Sequence, residues 1–503
     1  MFALAEQWHC SMPSGSGSED SDAMNDVSRL NRTSDWTQIR VCVVGFGVAG
    51  FAATDALLQM DAQVTVVDGA SREKHQDKAT LLEILGAQFQ FDDDVTLPND
   101  IDLVVLSPGV SPLAEIVQSA KARAVPIWGE LELAWRLRDI DNAAPWLAIT
   151  GTNGKTTTTR MVESILAAKY GAENVRAAGN IGVPMCEVVM DPHPLAAIAV
   201  EVGAPQLPFV YSMSPAAAVC LNLAPDHIDL FGSFDEYRQA KARVYQNTSI
   251  AAIYNEQDVA TEQMVEQADV IEGCRAVAFT VSIPHRSMVG LVDDILADRA
   301  FLSDRATTAL PIIDLGELPS SAPHNVQNAL AAIALTRAID VEPEFIKAGL
   351  INWKAEPHRI SHVAQINGVD YIDDSKATNT HAAFTSIRAY SSVVWIAGGL
   401  AKGQDFDELV EKSASRLRGV VLIGADQEVI ADALSRIAPH VPVRQIHNTQ
   451  DNVMASVVEQ AAELAEQGDT VLLAPGCASW DMFRDYAHRG DAFAHSVREL
   501  GSR

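Results

Sequence analysis

The sequence predicts an α/β protein made of three consecutive open-sheet domains. Its 503 residues suffice for about three domains of roughly 150 residues each. From residue 39 to the C-terminus, short apolar runs alternate with amphipathic helical patterns, which is typical of largely parallel sheets covered by helices on both faces. Glycine-rich or polar turns follow several of the apolar runs, and open sheets bind ligands at the carboxyl ends of their strands.

The first domain is expected over residues 37–144, after a polar extension. Residues 1–36 are rich in Ser, Gly and Asp, and this composition predicts disorder because it buries too little apolar surface. Strands are predicted at 39–44, 63–67 and 103–106. The first strand runs into Gly45-x-Gly47-x-x-Gly50, and the second ends at Asp68. This spacing predicts a Rossmann-like unit that holds a diphosphate at a helix N-terminus, and an NAD-dependent dehydrogenase is one interpretation of it.

The second domain is expected over residues 145–355 and opens with a phosphate-binding turn. The octet Thr150-Gly-Thr-Asn-Gly-Lys-Thr-Thr157 stands between a strand at 146–149 and a helix that carries Met161 and Ile165. Its backbone N–H groups, the Lys155 ammonium and the Thr156 hydroxyl can hold a nucleoside triphosphate with Mg²⁺. Ile149 stands where the general motif has a glycine, so the match is to a narrower variant. The turn predicts a central P-loop domain that binds ATP or GTP.

Polar residues follow other strands of this second domain. Strands are expected near 195–200, 217–222 and 250–254, with a strand-rich part at 275–315 and helices at 234–247 and 326–339. Glu201 ends one strand, His227 lies in a polar turn after another, and Lys241 shares a helix face with Tyr237. Because Mg²⁺ prefers carboxylate oxygens and water, Glu201 is a candidate ligand beside the phosphate-binding turn.

The third domain is expected over residues 356–503 as a second Rossmann-like unit. Its strands are predicted at 393–397, 419–423, 441–446 and 470–474, and its helices at 406–417, 427–437, 451–467 and 484–499. The chain carries a net charge of −29, so an anionic nucleotide needs a locally basic site. Arg359, Lys376 and Lys402 each follow a turn or strand end and are expected to join Lys155 in one basic cluster.

Composition also excludes several classes of function. An acidic surface opposes nucleic-acid binding, which rewards positive charge. The six cysteines show no paired spacing, which indicates buried free thiols rather than disulfides or a zinc site. No apolar run approaches the ~20 residues that span a membrane. The N-terminus lacks the basic and apolar regions of a signal peptide. These features predict a soluble cytoplasmic protein.

Several motifs together resemble those of the Mur ligases, which build the peptide stem of bacterial peptidoglycan. The similarity runs from about residue 39 to the C-terminus. In chain order, the motifs are Thr150 to Thr157, Gly179-Asn-Ile-Gly182, Asp226-His227, Tyr237-Arg-Gln-Ala-Lys241, His324-Asn325-x-x-Asn328, Pro357-His-Arg359 and Asp374-Ser-Lys-Ala-Thr-Asn379. Within the family, the members that add D-glutamate are the most similar, through Gly45 to Gly50, Ser107-Pro-Gly109, Leu473 to Phe483 and Arg489-Gly490.

The resemblance implies a division of labour among the three domains. The first would bind the UDP-linked substrate through Gly45, Gly47, Val48, Ala49, Asp68, Ser107 and Gly109, together with Asn180 of the second. The second and third would bind ATP through Gly151, Thr152, Asn153, Gly154, Lys155, Thr156, Thr157, Asn325, Arg359 and Asp374. The third would hold D-glutamate through Lys402, Thr378, Ser479 and Tyr486.

The resemblance also implies the metal site and the reaction. Two Mg²⁺ ions would be held by Thr156, Glu201, His227 and Lys241, the last as a carbamate formed with CO₂. The implied catalytic residues are Lys155, His227, Lys241 and Lys376. The implied activity is ATP-dependent, ADP-forming ligation of D-glutamate to UDP-N-acetylmuramoyl-L-alanine through an acyl phosphate, by a monomer, in cytoplasmic synthesis of peptidoglycan precursors.

Three alternatives remain open at this point. A related amide ligase could add L-alanine, or glutamate to a folate. An NAD-dependent dehydrogenase would use the glycine turn at 45–50 but would leave the Lys155 turn without a role. A catalytically silent binding protein is suggested by Val202-Gly-Ala-Pro205, where the family usually has Leu-Ser-Ser-Phe.

Overall fold

The computed structural model describes residues 27–91, 95–226, 228–354, 357–447 and 453–502, and they form three open α/β sheets in series. This confirms the predicted fold class. Within these ranges, no helix combines the length and the apolar character needed to cross a membrane. The domain boundaries at 144/145 and 355/356 stay predictions.

The first sheet is parallel, and its described strands lie in the order β3-β2-β1-β4-β5. They are β1 Arg40–Val44, β2 Gln63–Asp68, β3 Gln88–Phe91, β4 Leu103–Leu106 and β5 Ile127–Gly129. The helices are α1 Val48–Gln59, α2 Arg72–Ile84, α3 Glu115–Ala122 and α4 Glu130–Leu137. The strand order reverses between β1 and β4, so the turns after these two strands flank a crevice at their carboxyl ends.

The segment before β1 differs from the sequence prediction. Residues 1–26 of the predicted disordered extension lie outside the described residues, but residues 27–36 pack against the first domain. Val27 and Leu30 are buried, and Trp36 is only 1% exposed. The Trp36 ring meets Trp128 edge-on with centroids 6.4 Å apart. The sequence prediction missed these three buried apolar residues because the composition of residues 1–36 as a whole is polar.

The central sheet contains nine strands among the described residues, in the order β14-β13-β12-β11-β10-β9-β6-β8-β7. The strands are β6 Trp146–Thr150, β7 Val175–Gly179, β8 Ala197–Glu201, β9 Ala217–Cys220, β10 Ala251–Asn255, β11 Arg275–Phe279, β12 Met288–Val292, β13 Ile295–Asp298 and β14 Leu310–Asp314. The helices are α5 Lys155–Tyr170, α6 Met185–Met190, α7 Ile228–Phe231, α8 Phe234–Ala242, α9 Val259–Glu266, α10 Pro323–Ala338 and α11 Pro343–Asn352.

One edge of the central sheet departs from the expected parallel arrangement. Strands β12, β13 and β14 pair antiparallel. Only two residues connect β12 to β13, and the first, Asp293, has a φ of 51°. A two-residue hairpin cannot form the crossover that parallel strands need, so this edge is antiparallel.

The third sheet has the order β15-β16-β20-β17-β18-β19 among the described strands. The strands are β15 Ser361–Ile366, β16 Val369–Asp373, β17 Val393–Gly398, β18 Leu417–Ile423, β19 Val443–Gln445 and β20 Thr470–Leu473. The helices are α12 Thr380–Ile387, α13 Asp407–Ser413, α14 Gln427–Ile437, α15 Val453–Leu464 and α16 Tyr486–Gly501. Strand β15 is antiparallel to β16 because Asn367 and Gly368, with φ of 53° and 77°, form a tight hairpin.

Two buried glutamates of α4 attach the first domain to the central domain. Glu130 Oε1 accepts a hydrogen bond from the Cys186 N–H at the start of α6, at 2.6 Å. Glu132 Oε2 accepts from the N–H groups of Tyr211 and Ser212 at 2.8 and 2.9 Å. Burial raises the pKa of Glu130 to about 7. These bonds fix the first domain against the phosphate-binding domain.

Candidate active site

The phosphate-binding turn has the predicted strand–turn–helix form. Strand β6 ends at Thr150 and α5 begins at Lys155, and Gly154 between them has a left-handed φ of 83°. A Cβ at Gly154 would lie 2.5 Å from Asn328 Oδ1, so both the backbone angle and the space require glycine. The Lys155 ammonium folds over the turn and donates to the carbonyls of Gly151 and Thr152 at 2.9 and 3.0 Å.

Neighbouring strand ends hold this turn in place. Asn222, just after β9, accepts from the Asn153 N–H at 2.8 Å and donates to the Asn153 carbonyl at 3.1 Å. The Thr152 hydroxyl is buried, accepts from the Ala224 N–H at 2.9 Å and lies 3.1 Å from the Tyr237 hydroxyl. The turn is therefore preorganised by the protein itself.

Glu201 provides a buried carboxylate close to the turn. It ends β8 and is 2% exposed. Its Oε1 accepts a hydrogen bond from Asn180 Nδ2 at 2.9 Å, while Oε2 is buried without a hydrogen-bond partner. A buried carboxylate oxygen without a hydrogen-bond partner destabilises the folded protein unless a cation or a hydrogen-bond donor contacts it. Glu201 therefore fits the predicted role of a metal ligand.

Lys241 also reaches this turn and is 1% exposed. Its Nζ donates to the Gly151 carbonyl at 2.8 Å, so it shares this acceptor with Lys155. Burial, together with the positive charge of Lys155, lowers the pKa of Lys241 to about 7. A large fraction of Lys241 is thus a neutral, nucleophilic amine at neutral pH. His227, the other predicted ligand from this region, lies outside the described residues.

A cavity of about 630 Å³ occupies the crevice of the first sheet. All eight residues predicted to bind the UDP-linked substrate line it: Gly45, Gly47, Val48, Ala49, Asp68, Ser107, Gly109 and Asn180. The Ser107 hydroxyl donates to the Gly45 carbonyl at 2.7 Å. The Asp68 carboxylate accepts from the N–H groups of Phe46 and Ala70 at 2.5 and 2.7 Å, so it shapes the glycine turn. A direct contact of Asp68 with the UDP-linked substrate stays a prediction.

A larger cavity of about 960 Å³ is lined both by residues of the phosphate-binding turn and by residues of the third domain. Six of the predicted ATP-binding residues line it: Asn153, Gly154, Thr157, Asn325, Arg359 and Asp374. Lys376 and Lys402 also line it, so three of the four expected basic groups meet here. Gly151, Thr152, Lys155 and Thr156 are not among its lining residues, and the Lys155 ammonium instead folds over its own turn.

Burial shifts the pKa values of two titratable groups in this cavity. Burial raises the pKa of Asp374 to about 6, although the Arg359 charge and a hydrogen bond from the Ser386 hydroxyl oppose the rise. Burial lowers the pKa of His324 to about 4, helped by the Arg359 charge, so His324 is neutral at pH 7. The positive charge on this wall comes from Arg359, Arg388 and the lysines rather than from His324.

Side chains of the third domain reach the phosphate-binding turn directly. The Asn153 side-chain amide lies 2.9 Å from His381 Nδ1, at the start of α12. Asn379 Nδ2 donates to Asn153 Oδ1 and to Asp226 Oδ2, each at 3.3 Å. The third domain is thus closed over the turn.

Comparison with known proteins assigns the chain to a family. The family model for the Mur ligase MurD-like N-terminal domain matches residues 39–129, that for the Mur ligase middle domain matches 149–336, and that for the Mur ligase glutamate ligase domain matches 358–477. Together they cover most of the chain. The chain belongs to the Mur ligase family.

Curated relatives of this Mur ligase are similar to it over almost its whole length. A UDP-N-acetylmuramoylalanine–D-glutamate ligase of Streptomyces avermitilis is 49% identical over 468 residues, which is 93% of this chain and 100% of the relative. A protein of the same name from Streptomyces coelicolor is 48% identical over 471 residues, with the same two coverages. The family assignment therefore does not rest on short motifs alone.

Solved Mur ligase structures share the fold. MurF from Acinetobacter baumannii has a TM-score of 0.55 at 19% identity, covering 86% of this chain and 90% of that one. MurF from Thermotoga maritima, solved in complex with ADP, has a TM-score of 0.53 at 16% identity, covering 95% and 100%. At this identity the likeness concerns the arrangement of the three sheets.

The predicted amino-acid-binding residues of this Mur ligase are only partly gathered. Lys402 lines the large cavity, while Thr378, Ser479 and Tyr486 are not among its lining residues. The Tyr486 ring instead lies under the Lys376 ammonium, 3.7 Å from Nζ to the ring centroid. Ser479 is buried in the loop after β20. Direct contacts of these three with D-glutamate stay predictions.

Arg489 is an organising residue that sequence reasoning missed as a functional group. It is fully buried on α16, where burial lowers the pKa of its guanidinium to about 10. It donates to the Ser375 hydroxyl and carbonyl at 3.0 and 2.8 Å, and to the Cys477 carbonyl at 3.1 Å. It thereby joins the loop that carries Lys376 to the loop that carries Ser479. The only sequence signal for Arg489 was its place in the Arg489-Gly490 motif.

Proposed function

We propose that this Mur ligase joins D-glutamate to the L-alanyl carboxyl group of UDP-N-acetylmuramoyl-L-alanine, with conversion of ATP to ADP and phosphate. Relatives that carry this name are 48–49% identical over 93% of the chain. The product is an intermediate of peptidoglycan synthesis. Because its substrates are ATP and a nucleotide-linked sugar, we place the reaction in the cytoplasm. We also propose that the protein acts as a monomer.

The position of Asn180 carries this proposal. Asn180 lines the 630 Å³ cavity, and its side-chain amide binds Glu201 beside the phosphate-binding turn. A nucleotide-linked substrate that fills this cavity would extend past Asn180 towards the terminal phosphate of ATP. Its free carboxylate would then meet the phosphoryl group at the junction of the two cavities.

The first step transfers the terminal phosphoryl group. A carboxylate oxygen of the L-alanyl group attacks the γ-phosphorus, the bond to the β,γ-bridging oxygen breaks, and ADP leaves. Such transfer depends on alignment and neutralised charge more than on covalent help from the protein. The backbone N–H groups of the turn, Lys155 and Arg359 would supply both. The product is an acyl phosphate.

The second step forms the amide bond. The neutral amine of D-glutamate attacks the acyl carbon and forms a tetrahedral intermediate, which collapses with loss of phosphate and of the extra amine proton. The ammonium groups of Lys376 and Lys402 lie on the cavity wall across from the phosphate-binding turn. Closure of the third domain over the turn would keep water from the acyl phosphate.

We further propose that the site uses Mg²⁺ and a carbamate on Lys241. Glu201 Oε2, the Thr156 hydroxyl, His227 and the modified Lys241 would hold the metal. Bound Mg²⁺ would neutralise charge on the phosphates. The unpartnered buried Oε2 of Glu201 supports a cation at this position. For the carbamate, the neutral Nζ of Lys241 attacks the carbon of CO₂, a C–N bond forms, one C=O π pair moves to oxygen and one proton leaves the nitrogen, so a neutral amine becomes an anion.

The test is a phosphate-release assay with UDP-N-acetylmuramoyl-L-alanine, D-glutamate, ATP and Mg²⁺, with each component omitted in turn. We expect release only with the complete mixture, and almost none from Lys155→Ala. Release driven by L-alanine and UDP-N-acetylmuramate, or by glutamate and a folate, would assign another amide ligation. No release from the complete mixture would favour a silent binding protein, and a response to NADH would favour the dehydrogenase.

A further inference from the structure

Trp480 is the most exposed aromatic side chain beside the candidate site, and it lies under a lysine. Its side chain is 66% exposed, which is unusual for a residue of this size. The Lys402 ammonium stands over its ring, 4.6 Å from Nζ to the centroid. A cation over a tryptophan face within about 6 Å is attracted by the ring quadrupole.

The backbone brings these two residues together. Strands β17 and β20 are parallel neighbours, and the loops that follow them meet in one antiparallel bridge. In that bridge Leu400 and Ala478 exchange two backbone hydrogen bonds of 2.9 Å. Lys402 and Trp480 lie just beyond the two bridged residues, and their long side chains meet there. A Cβ at Gly399 would lie 2.1 Å from the Ala478 carbonyl oxygen, so glycine permits this close approach.

The loop under Lys402 is fixed by side chains. Asp426 accepts from the Ala401 N–H at 2.7 Å, and Gln404 donates to the Ala401 carbonyl at 2.9 Å. Lys402 itself has a left-handed φ of 53°. Among the described residues, no carboxylate forms an ion pair with its ammonium. The backbone of Lys402 is therefore held rigidly. Its ammonium charge remains available to a ligand, and Trp480 sets the direction of its long side chain.

We propose that Trp480 is a positioning residue that orients Lys402 towards a carboxylate of the incoming acidic amino acid. This inference rests on the proposed function, in which Lys402 binds D-glutamate. Trp480 acts through Lys402 and takes no part in phosphoryl transfer. Its removal therefore weakens use of the amino acid and spares use of ATP and of the UDP-linked substrate.

The experiment compares Trp480→Leu and Trp480→Phe with the unaltered protein in the phosphate-release assay. We expect Trp480→Leu to raise the KM for D-glutamate by between about 2- and 30-fold, the span of cation–π strengths, with the KM values for ATP and the UDP-linked substrate unchanged. Trp480→Phe retains an aromatic face and should recover much of the loss. Tyr211→Leu is the matched control, since it removes another half-exposed ring under a cation, that of Arg243, from a different part of the protein.

A double-mutant cycle with Lys402→Met tests whether Trp480 acts through the lysine. We expect Trp480→Leu to add no further rise in the KM for D-glutamate once Lys402 is methionine. An equal rise in both backgrounds, or an unchanged KM in the single variant, would overturn the inference. Failure of the unaltered protein to release phosphate with D-glutamate would instead overturn the proposed function, so the two failures are distinguishable.

Discussion

The side-chain amide of Asn153 in the phosphate-binding turn and the imidazole of His381 in the third domain lie 2.9 Å apart. They are separated by 228 residues in the chain. The contact joins the element that would hold ATP phosphates to the domain that would deliver the amino acid. Loss of this contact should therefore affect closure of the site.

We predict that His381→Ala lowers kcat/KM for ATP by about 2- to 13-fold, because one hydrogen bond contributes roughly 0.5–1.5 kcal/mol. Steady-state kinetics with ATP as the varied substrate provides the measurement. His440→Ala, an exposed histidine after α14, is the control. Equal kinetics of both variants would show that the contact does not contribute to the closed state.

We predict that activity below pH 7 depends on dissolved CO₂ through Lys241. Its pKa is about 7, so about half of the amine is neutral at that pH, compared with less than one in a thousand for an ordinary lysine. As pH falls below 7 the amine becomes protonated and cannot attack CO₂. Activity in CO₂-free buffer at pH 6 should be low. It should recover when the pH is raised and bicarbonate is added. NMR of protein treated with isotope-labelled bicarbonate should show a carbamate that Lys241→Ala lacks and Lys121→Ala retains.

We predict that Glu201→Gln raises the Mg²⁺ concentration needed for half-maximal activity by at least about tenfold, since it removes a charged ligand. Without Mg²⁺ the variant should unfold at the same temperature as the unaltered protein or higher, because the unpartnered buried charge is gone. Metal titrations and thermal unfolding measure the two effects. Unchanged Mg²⁺ dependence would remove Glu201 from the metal site.

We predict a pH effect on stability from Glu130. Its folded pKa is about 7 and its ordinary value is 4.5, so between these values the folded state holds a proton that the unfolded state has released. The contribution of Glu130 to the free energy of unfolding therefore falls as pH rises from 4.5 to 7, by roughly 1–3 kcal/mol. Thermal unfolding of Glu130→Gln should lose this component, while that of exposed Glu272→Gln should keep it. Parallel profiles of thermal stability against pH for all three proteins would contradict this prediction.

We predict that Arg489→Met destabilises the third domain by about 2–4 kcal/mol, because the Ser375 and Cys477 carbonyls lose their charged donor in the interior. Urea unfolding, followed by a probe in the third domain, measures the change. The exposed Arg444→Met, on β19, serves as the control and should be close to neutral. A neutral Arg489→Met would mean that the two loops hold their shape without it.

Local motifs predicted the form of two glycine-containing turns, while ligand binding at them stays a prediction. The phosphate-binding turn and the glycine turn at 45–50 are each a strand, a turn and a helix in sequence, so their geometry follows from adjacent residues. The contacts of His381, Asn222 and Arg489 could not be predicted in this way, because each depends on how distant segments meet in three dimensions. The hairpin at Asn367-Gly368 was different, since that dipeptide is itself a turn signal that the strand assignment passed over.

Asn180 both lines the 630 Å³ cavity and binds Glu201, and this has a practical consequence for inhibition. A small molecule lodged among the glycines of the 630 Å³ cavity could turn the Asn180 amide away from Glu201 without ever competing with ATP. The carboxylate would lose the bond that orients it, and the enzyme would be disabled from a cavity other than the one proposed to hold ATP.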